Sequence, residues 1–408
     1  MSRKAHIVGV GETRYTKWGK IGDVTEHALA CEAILSAVED AGLAMDNVDG
    51  MASFAEDRNE AIYLAAELGI PELRFANMVW IPGGGGGCAA IGNAAMAVES
   101  GQAEVVVVYR ALCQGQYMRF GKGAGELQKN QPADPPPPSF VQANTILLAK
   151  MGFVMPYGML SAAPAFALPM KRHMHLYGTT SEQLAKIAVT TRQHANRNPR
   201  AVMYERTMTV EDHQNSAMIS DPFHLFDCCL ETDGACAVIV TTEERAQDMK
   251  RKPVAITGSV QGAPKGYSFG TFTNASVSDK EFATGGTTMM ANRLWEKTGL
   301  KPEDVDVAQI YDHFTGGVLM QLEDYGFCKR GEGGDFVDSG ALAWDSGVLP
   351  TNTSGGNLSE AYMHGLSHVI EGARSLWGES VSPVDDATVC LVTSGAGVPS
   401  SAIMLQTS

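Results

Sequence analysis

Gly42-Leu43-Ala44-Met45-Asp46-Asn47-Val48-Asp49 returns about 250 residues later as Gly299-Leu300-Lys301-Pro302-Glu303-Asp304-Val305-Asp306. Each copy follows an amphipathic helical pattern, Ala33 to Asp40 and Met290 to Lys297, and precedes an apolar segment. Upstream, the strand pattern Ala5-His6-Ile7-Val8-Gly9 is matched by Val254-Ala255-Ile256-Thr257-Gly258. Downstream, each half holds a Gly-rich loop, a helix and an apolar strand. These are Gly83–Gly87, Ala89–Ser100 and Ala103–Tyr109 in the first half, and Gly355-Gly356, Gly365–Trp377 and Ala387–Val392 in the second. Two copies of a βαβαβ-type unit explain this order, so an α/β fold with two pseudo-repeated halves is expected.

The near-continuous apolar run Val105–Val108 suits a sheet covered on both faces. Asp233–Val240 reads as the last strand of the first half. The expected organisation is an N-terminal half of residues 1–113 plus 221–250, an inserted loop domain of 114–220, and a C-terminal half of 251–408. The insertion carries Pro135–Pro138, two amphipathic helices, and Met151, Met155, Met159, Met170 and Met174. Adaptable methionine surface suits a bulky apolar ligand, and it equally suits packing between domains.

The formal charge of −15 over 408 residues argues against nucleic acid or an anionic membrane as the main partner. No run of 18 apolar residues is present, and the chain start lacks a signal-peptide core. The eight cysteines include no CxxC pair, as expected for reduced, buried thiols in a cytoplasmic protein without a zinc site.

Four segments fall at strand-to-helix turns: Gly83–Cys88, Tyr311-Asp312-His313-Phe314, Ser354–Gly365 and Thr393-Ser394-Gly395-Ala396-Gly397. Ligands in open α/β sheets gather where such loops converge. Five glycines before a helix leave its first N–H groups approachable by an anion or a developing oxyanion. Cys88 is either a thiolate activated by that helix start or a small buried residue. Asp312 and His313 are acid/base candidates, or hydrogen-bonded loop residues. Tyr362, next to His364, is a candidate to move a proton at a reacting atom. Arg197 and Arg200 are candidates for a phosphate-bearing cofactor, with solvated surface as the alternative.

The repeat and loops, with Tyr204–His213, Asp227-Cys228-Cys229, Asp233-Gly234-Ala235, Glu323–Cys328 and Asn352–Gly356, resemble the thiolase superfamily, sterol-carrier-protein type, over nearly the whole chain. Family thiolases carry their nucleophile in a Cys-x-Ser-Gly turn seventeen residues before a small-Gly-x-Ala turn. Counting back seventeen from Gly101 in Ser100-Gly101-Gln102-Ala103 reaches Gly84, so the resemblance places Cys88 four residues beyond the nucleophile, in the core. Its Gly-His-Pro motif lands on Ala361-Tyr362-Met363, its Cys-x-Gly motif on Thr393-Ser394-Gly395, and its Asn- or His-headed motif on Tyr311–Phe314.

The loss of every thiolytic group is similar to the steroid side-chain aldolases, thiolase-fold proteins lacking the nucleophile. The resemblance implies retro-aldol cleavage of a β-hydroxyacyl-CoA, with a carbonyl steroid and a short acyl-CoA, such as propionyl-CoA or acetyl-CoA, as products. It implies Tyr311 and Tyr362 as the acid/base pair, Asp312, His313 and His364 as orienting groups, and Gly84, Gly85, Gly86, Gly87 and Gly395 as an oxyanion cradle. The space over Gly84 is expected to admit a substrate carbon. No covalently bound cofactor is implied; the CoA thioester is substrate. The implied assembly is a heterotetramer, a homodimer core carrying an acyl-CoA-binding partner with an OB-like fold and zinc ribbon. Two other readings are a divergent thiolase or condensing enzyme using Cys88, and a non-catalytic lipid-CoA carrier.

Overall fold

A computed structural model describes residues 3–55, 57–79, 83–114, 155–159, 161–264, 279–395 and 400–408. The first half runs β1 (Ala5–Glu12), β2 (Thr16–Lys17), α1 (Glu26–Ala41), β3 (Gly50–Phe54), α2 (Ala61–Leu68), β4 (Phe75–Val79), α3 (Gly87–Glu99) and β5 (Val105–Cys113). Then come α4 (Ala162–Tyr177), α5 (Ser181–Ala195), α6 (Val210–Gln214) and a small hairpin, β6 (Met218–Ser220) with β7 (Phe223–His224). The chain returns to the main sheet as β8 (Thr232–Thr242), followed by α7 (Glu243–Ala246). The second half comprises β9 (Val254–Gly262), α8 (Asp279–Phe282), α9 (Thr288–Thr298), β10 (Val307–Gln309), α10 (Thr315–Asp324), α11 (Gly333–Asp338), α12 (Leu366–Trp377), β11 (Val389–Ser394) and β12 (Ser400–Thr407).

All the main strands join one ten-stranded sheet in the order β10-β11-β12-β9-β1-β8-β5-β3-β4, with β2 alongside β8. The order β3-β5-β8-β1 is mirrored by β10-β11-β12-β9, and strand directions match pair for pair. β3–β5 and β10–β11 are parallel, while β5–β8, β11–β12, β8–β1 and β12–β9 are antiparallel. The halves meet where β1 pairs antiparallel with β9. This order is that of a pseudo-twofold repeat: β8, the strand expected over Asp233–Val240, closes the first unit antiparallel to β5, and β12, which the sequence reading did not contain, closes the second antiparallel to β11.

The layers follow from side-chain alternation along the strands. Val106 and Val108 of β5, Val238 and Val240 of β8, Val392 of β11 and Ile403 of β12 face an inner core filled by α3 and α12. Val105, Val107 and Ile239 face outward onto α1. Leu391 and Met404 face outward onto α9 and α10. The small residues Ala90, Ala94 and Ala97 let α3 lie between strands of both halves. The two inner helices therefore bring the loops preceding them to one place.

Within the expected insertion, Met170 is fully buried against the α10 region and Met174 packs on the same core. For these two, packing is the role rather than ligand surface. Pro135–Pro138 and Met151 lie outside the described residues. Among the described residues, no helix is long and apolar enough to cross a membrane. None of them forms a cluster of three or more His, Cys, Asp or Glu able to hold a metal ion.

Candidate active site

Tyr311 is positioned by its backbone. Asn352 brackets the preceding residue, accepting the Ile310 N–H at 2.8 Å and donating to its carbonyl at 2.9 Å. The Tyr311 N–H donates to Thr393 Oγ1 at 2.9 Å, and its carbonyl accepts from Gln321 Nε2 at 2.9 Å. Thr393 closes the ring by donating to Gln321 Oε1 at 2.7 Å. Every polar atom in this clamp is buried and paired, so the tyrosine ring has a defined origin.

Tyr362 follows the buried turn Gly356–Glu360. Its N–H donates to Thr232 Oγ1 at 3.0 Å, which donates back to the Tyr362 carbonyl at 3.2 Å. The two phenols meet, Oη to Oη, at 3.0 Å. Asp312 holds the turn from below this pair. Its carboxylate accepts the N–H groups of Asn357 at 2.9 Å and Leu358 at 3.2 Å, and His368 Nε2 lies 2.9 Å from it. A β-carbon at Gly356 would stand 2.3 Å from Asp312 Oδ2, so the second glycine of Gly355-Gly356 is what lets the carboxylate approach. Asp312 is thus an anchor of the Tyr362 loop.

The glycine run has a different role from the one its sequence suggests. A β-carbon at Gly84 would lie 1.6 Å from Tyr311 Oη and 1.9 Å from its Cζ. The tyrosine fills the space expected to admit a substrate carbon. Gly86 makes room for Phe54 and Gly87 for Ser394. The helix-start donors are also engaged: Cys88 N–H bonds Ser394 Oγ at 3.0 Å and Ala89 N–H bonds Ser401 Oγ at 3.0 Å. Ser401 in turn donates to the Gly85 carbonyl at 2.6 Å. Gly84, Gly86 and Gly87 are therefore a seat for Tyr311, Phe54 and Ser394. Gly395 turns the chain at φ 75° directly after Ser394.

Cys88 is fully buried, its thiol donating to the Val392 carbonyl at 3.4 Å and accepting from Ser394 Oγ at 3.2 Å. Burial pushes it up to about 12, the opposite of an activated thiolate. Burial likewise raises Tyr311, with the neighbouring Tyr362 adding to the effect. Tyr362 is raised too, chiefly by burial, although its bond from Tyr311 and the nearby Arg110 oppose the rise. Both phenols are therefore neutral at physiological pH.

His313 packs edge-on against Phe166, with centroids 4.2 Å apart, and lies 5.1 Å from the Tyr311 ring. Neither of its ring nitrogens has a hydrogen-bond partner among the described residues, and burial lowers it to about 3. It is a neutral imidazole beside the tyrosine pair, with a donor and an acceptor available. His364 has φ 50°, and its ring centroid lies 4.9 Å from that of Tyr362. Arg110 Nη2 is 3.0 Å from His364 Nδ1, which makes Nδ1 the acceptor and puts the proton on Nε2. Burial and Arg110 together lower His364 well below the usual histidine range.

Arg110 escaped the sequence reading. It is buried in β5, paired with Asp57 at 2.8 Å, and bonded to the Ala55 carbonyl at 3.3 Å. Its one signal was an arginine directly following the apolar run Val105–Tyr109. Gln321, Thr232 and His368 also went unnoticed, since each acts through a contact distant in sequence. Arg197 stacks on Trp344 at 3.9 Å and Arg200 faces Glu12, so neither belongs to the tyrosine site.

A family model described as "Thiolase C-terminal domain-like" matches residues 270–406. The chain is 41% identical over 406 residues to the 17-hydroxy-3-oxo-4-pregnene-20-carboxyl-CoA lyase of Mycobacterium tuberculosis, covering 99% of this chain and 100% of that one. It belongs to the steroid side-chain-cleaving aldolases of the thiolase superfamily. The steroid side-chain-cleaving aldolase of Thermomonospora curvata is 42% identical over 403 residues, covering 98% of this chain and 97% of that protein. Among solved structures, an Ltp2-ChsH2(DUF35) aldolase superposes with a TM-score of 0.88 at 40% identity, covering 99% of this chain and 98% of that one. Human mitochondrial 3-ketoacyl-CoA thiolase shares the fold alone, at TM-score 0.67 and 16% identity, covering 100% of this chain and 99% of that one. In this chain, a phenol seated on glycine takes the space over the residue that register counting aligns with the thiolase nucleophile.

Proposed function

We propose that this aldolase cleaves the side chain of a β-hydroxyacyl-CoA steroid by a retro-aldol reaction, using Tyr311 and Tyr362 as a proton relay. The observation that carries the reading is the phenol pair, 3.0 Å apart, buried over Gly84. The reaction moves one proton from the β-hydroxyl to Cα. The O–H bond breaks as the ketone forms, and the Cα–Cβ pair passes to the thioester as an enolate. One phenol accepts the hydroxyl proton while its partner delivers one to Cα. Because the two are hydrogen-bonded, the relay transfers charge through the pair without a free phenolate. Raised phenol pKa values suit this, since each hydroxyl then both accepts and donates at neutral pH.

The enolate oxygen needs donors in a dry site. The His313 imidazole, with its ring centroid 5.1 Å from that of Tyr311 and neither nitrogen paired among the described residues, is a neutral donor for that oxygen. The CoA thioester enters as substrate and no bound cofactor takes part. A partner of the DUF35 type, with an OB-like fold and zinc ribbon, would present the acyl-CoA to a homodimer core; the ChsH2(DUF35) component of the similar Ltp2 structure supports this. The test is mass spectrometry of products from a β-hydroxy steroid acyl-CoA, with and without such a partner. A shorter acyl-CoA together with a carbonyl steroid is expected. Intact substrate under both conditions would overturn the reading.

A further inference from the structure

A second concave site lies away from the tyrosines. The end of β1 and the turn after it (residues 10–17), the segment 199–206, and the side chains of Arg251 and Arg374 enclose a cleft of about 860 Å³. That volume is in the range of small-molecule sites, about 300–1,000 Å³. Seven of its lining side chains are Lys or Arg and two, Glu12 and Asp40, are acidic. Both acids are already engaged. Glu12 pairs with Arg374 and lies 3.7 Å from Arg200, and Asp40 pairs with Arg251 at 2.6 Å. Arg14, Lys17, Lys20 and Arg206 are exposed and have no carboxylate at ion-pair distance among the described residues. The cleft thus concentrates positive charge on a chain whose formal charge is −15.

Like charges gathered without counter-charges repel one another, and a multivalent anion relieves that repulsion. Concave walls with lower dielectric strengthen the attraction further. Val10, Pro199 and Val202 add apolar wall beside the cations, which suits a ligand with both a flat organic part and phosphate groups. We infer that this cleft binds a nucleotide-sized phosphate ester carrying at least two phosphate groups. The cleft's link to the tyrosine site is structural: the Val202 and Met203 N–H groups bond the carbonyls of Glu360 and Ser359, just before Tyr362.

The test is calorimetric titration of the full chain with adenosine 3′,5′-bisphosphate, pyrophosphate and CoA. The double variant Arg14→Glu/Arg206→Glu is compared with wild type, and Lys17→Gln/Lys20→Gln serves as a milder second variant should the first not fold. Saturable binding of the bisphosphate is expected, weakened about tenfold or more in a folded variant and by added salt. Where the ligand is the nucleotide end of CoA, CoA displaces the bisphosphate and the variant raises KM at unchanged kcat. Where it is a free nucleotide, CoA does not compete and KM is unchanged. Absence of binding at about 10 mM probe, or equal binding by wild type and a folded variant, would overturn the inference.

Discussion

Tyr311 occupies the side-chain space of Gly84: its hydroxyl lies 1.6 Å from the point where a β-carbon would stand. The same hydroxyl lies 3.0 Å from that of Tyr362. A side chain at residue 84 and the tyrosine pair therefore exclude one another. Gly84→Ala should displace Tyr311 and lower kcat on the order of 100-fold or more, a loss of the size seen when one catalytic donor is misplaced. Gly84→Cys should be equally poor at cleavage. Steady-state kinetics with a steroid acyl-CoA checks both, and a near-normal Gly84→Ala enzyme would mean that the pair does not need its present position.

Removing either phenol breaks one relay. Tyr311→Phe and Tyr362→Phe are each expected to lower kcat by about 10²–10³, and the double variant should be little worse than either alone. Multiplicative losses in the double variant would show two independent roles.

The buried phenols also set the pH profile. Their pKa values are raised by burial, so ionisation begins above the usual tyrosine range. The rate should stay level from about pH 6 to 9, since neither phenol gains or loses charge there. A rising limb with an apparent pKa near 7 would point to a different base.

Cys88 should be chemically silent. Its burial and raised pKa predict no labelling by iodoacetamide in the folded protein. Cys88→Ala should keep kcat within about threefold while losing about 1–2 kcal/mol of stability from the lost contacts. Acyl labelling of Cys88 during turnover would restore the thiolase reading.

Glu360 makes stability depend on pH. It is buried, accepts from Ser354 Oγ and Asn198 Nδ2, and is raised to about 8 by burial with Glu12 and Glu371 nearby. The folded chain therefore holds a proton there that the unfolded chain releases near pH 4.5. The stabilisation is complete below about pH 4.5 and is lost as pH rises through about 8. Thermal unfolding from pH 5 to 9 should show Tm falling with pH, and Glu360→Gln should flatten that fall.

Much of this molecule was readable from local pattern. The repeat at Gly42–Asp49 and Gly299–Asp306 announced two related units, because helix and strand periodicities survive in the chain wherever one face must be buried. Register counting from Gly101 placed a glycine at residue 84 and put Cys88 in the core, where the structure has it. The strand β12, the antiparallel direction of the strands closing each unit and the pairing of β1 with β9 were not legible, since strand direction is set by partners far along the chain.

Sequence alone determined the family architecture and put glycine at residue 84 and tyrosine at residues 311 and 362. Only the tertiary structure decided what the missing side chain is for. The Gly84 space is filled by a residue 227 positions away, a distance read directly from the numbering of Tyr311. The same holds for Arg110 bonded to His364 and for the basic cleft assembled from five separate stretches of chain. Steric exclusion and charge act through space, and a linear pattern records only which side chains are available to meet.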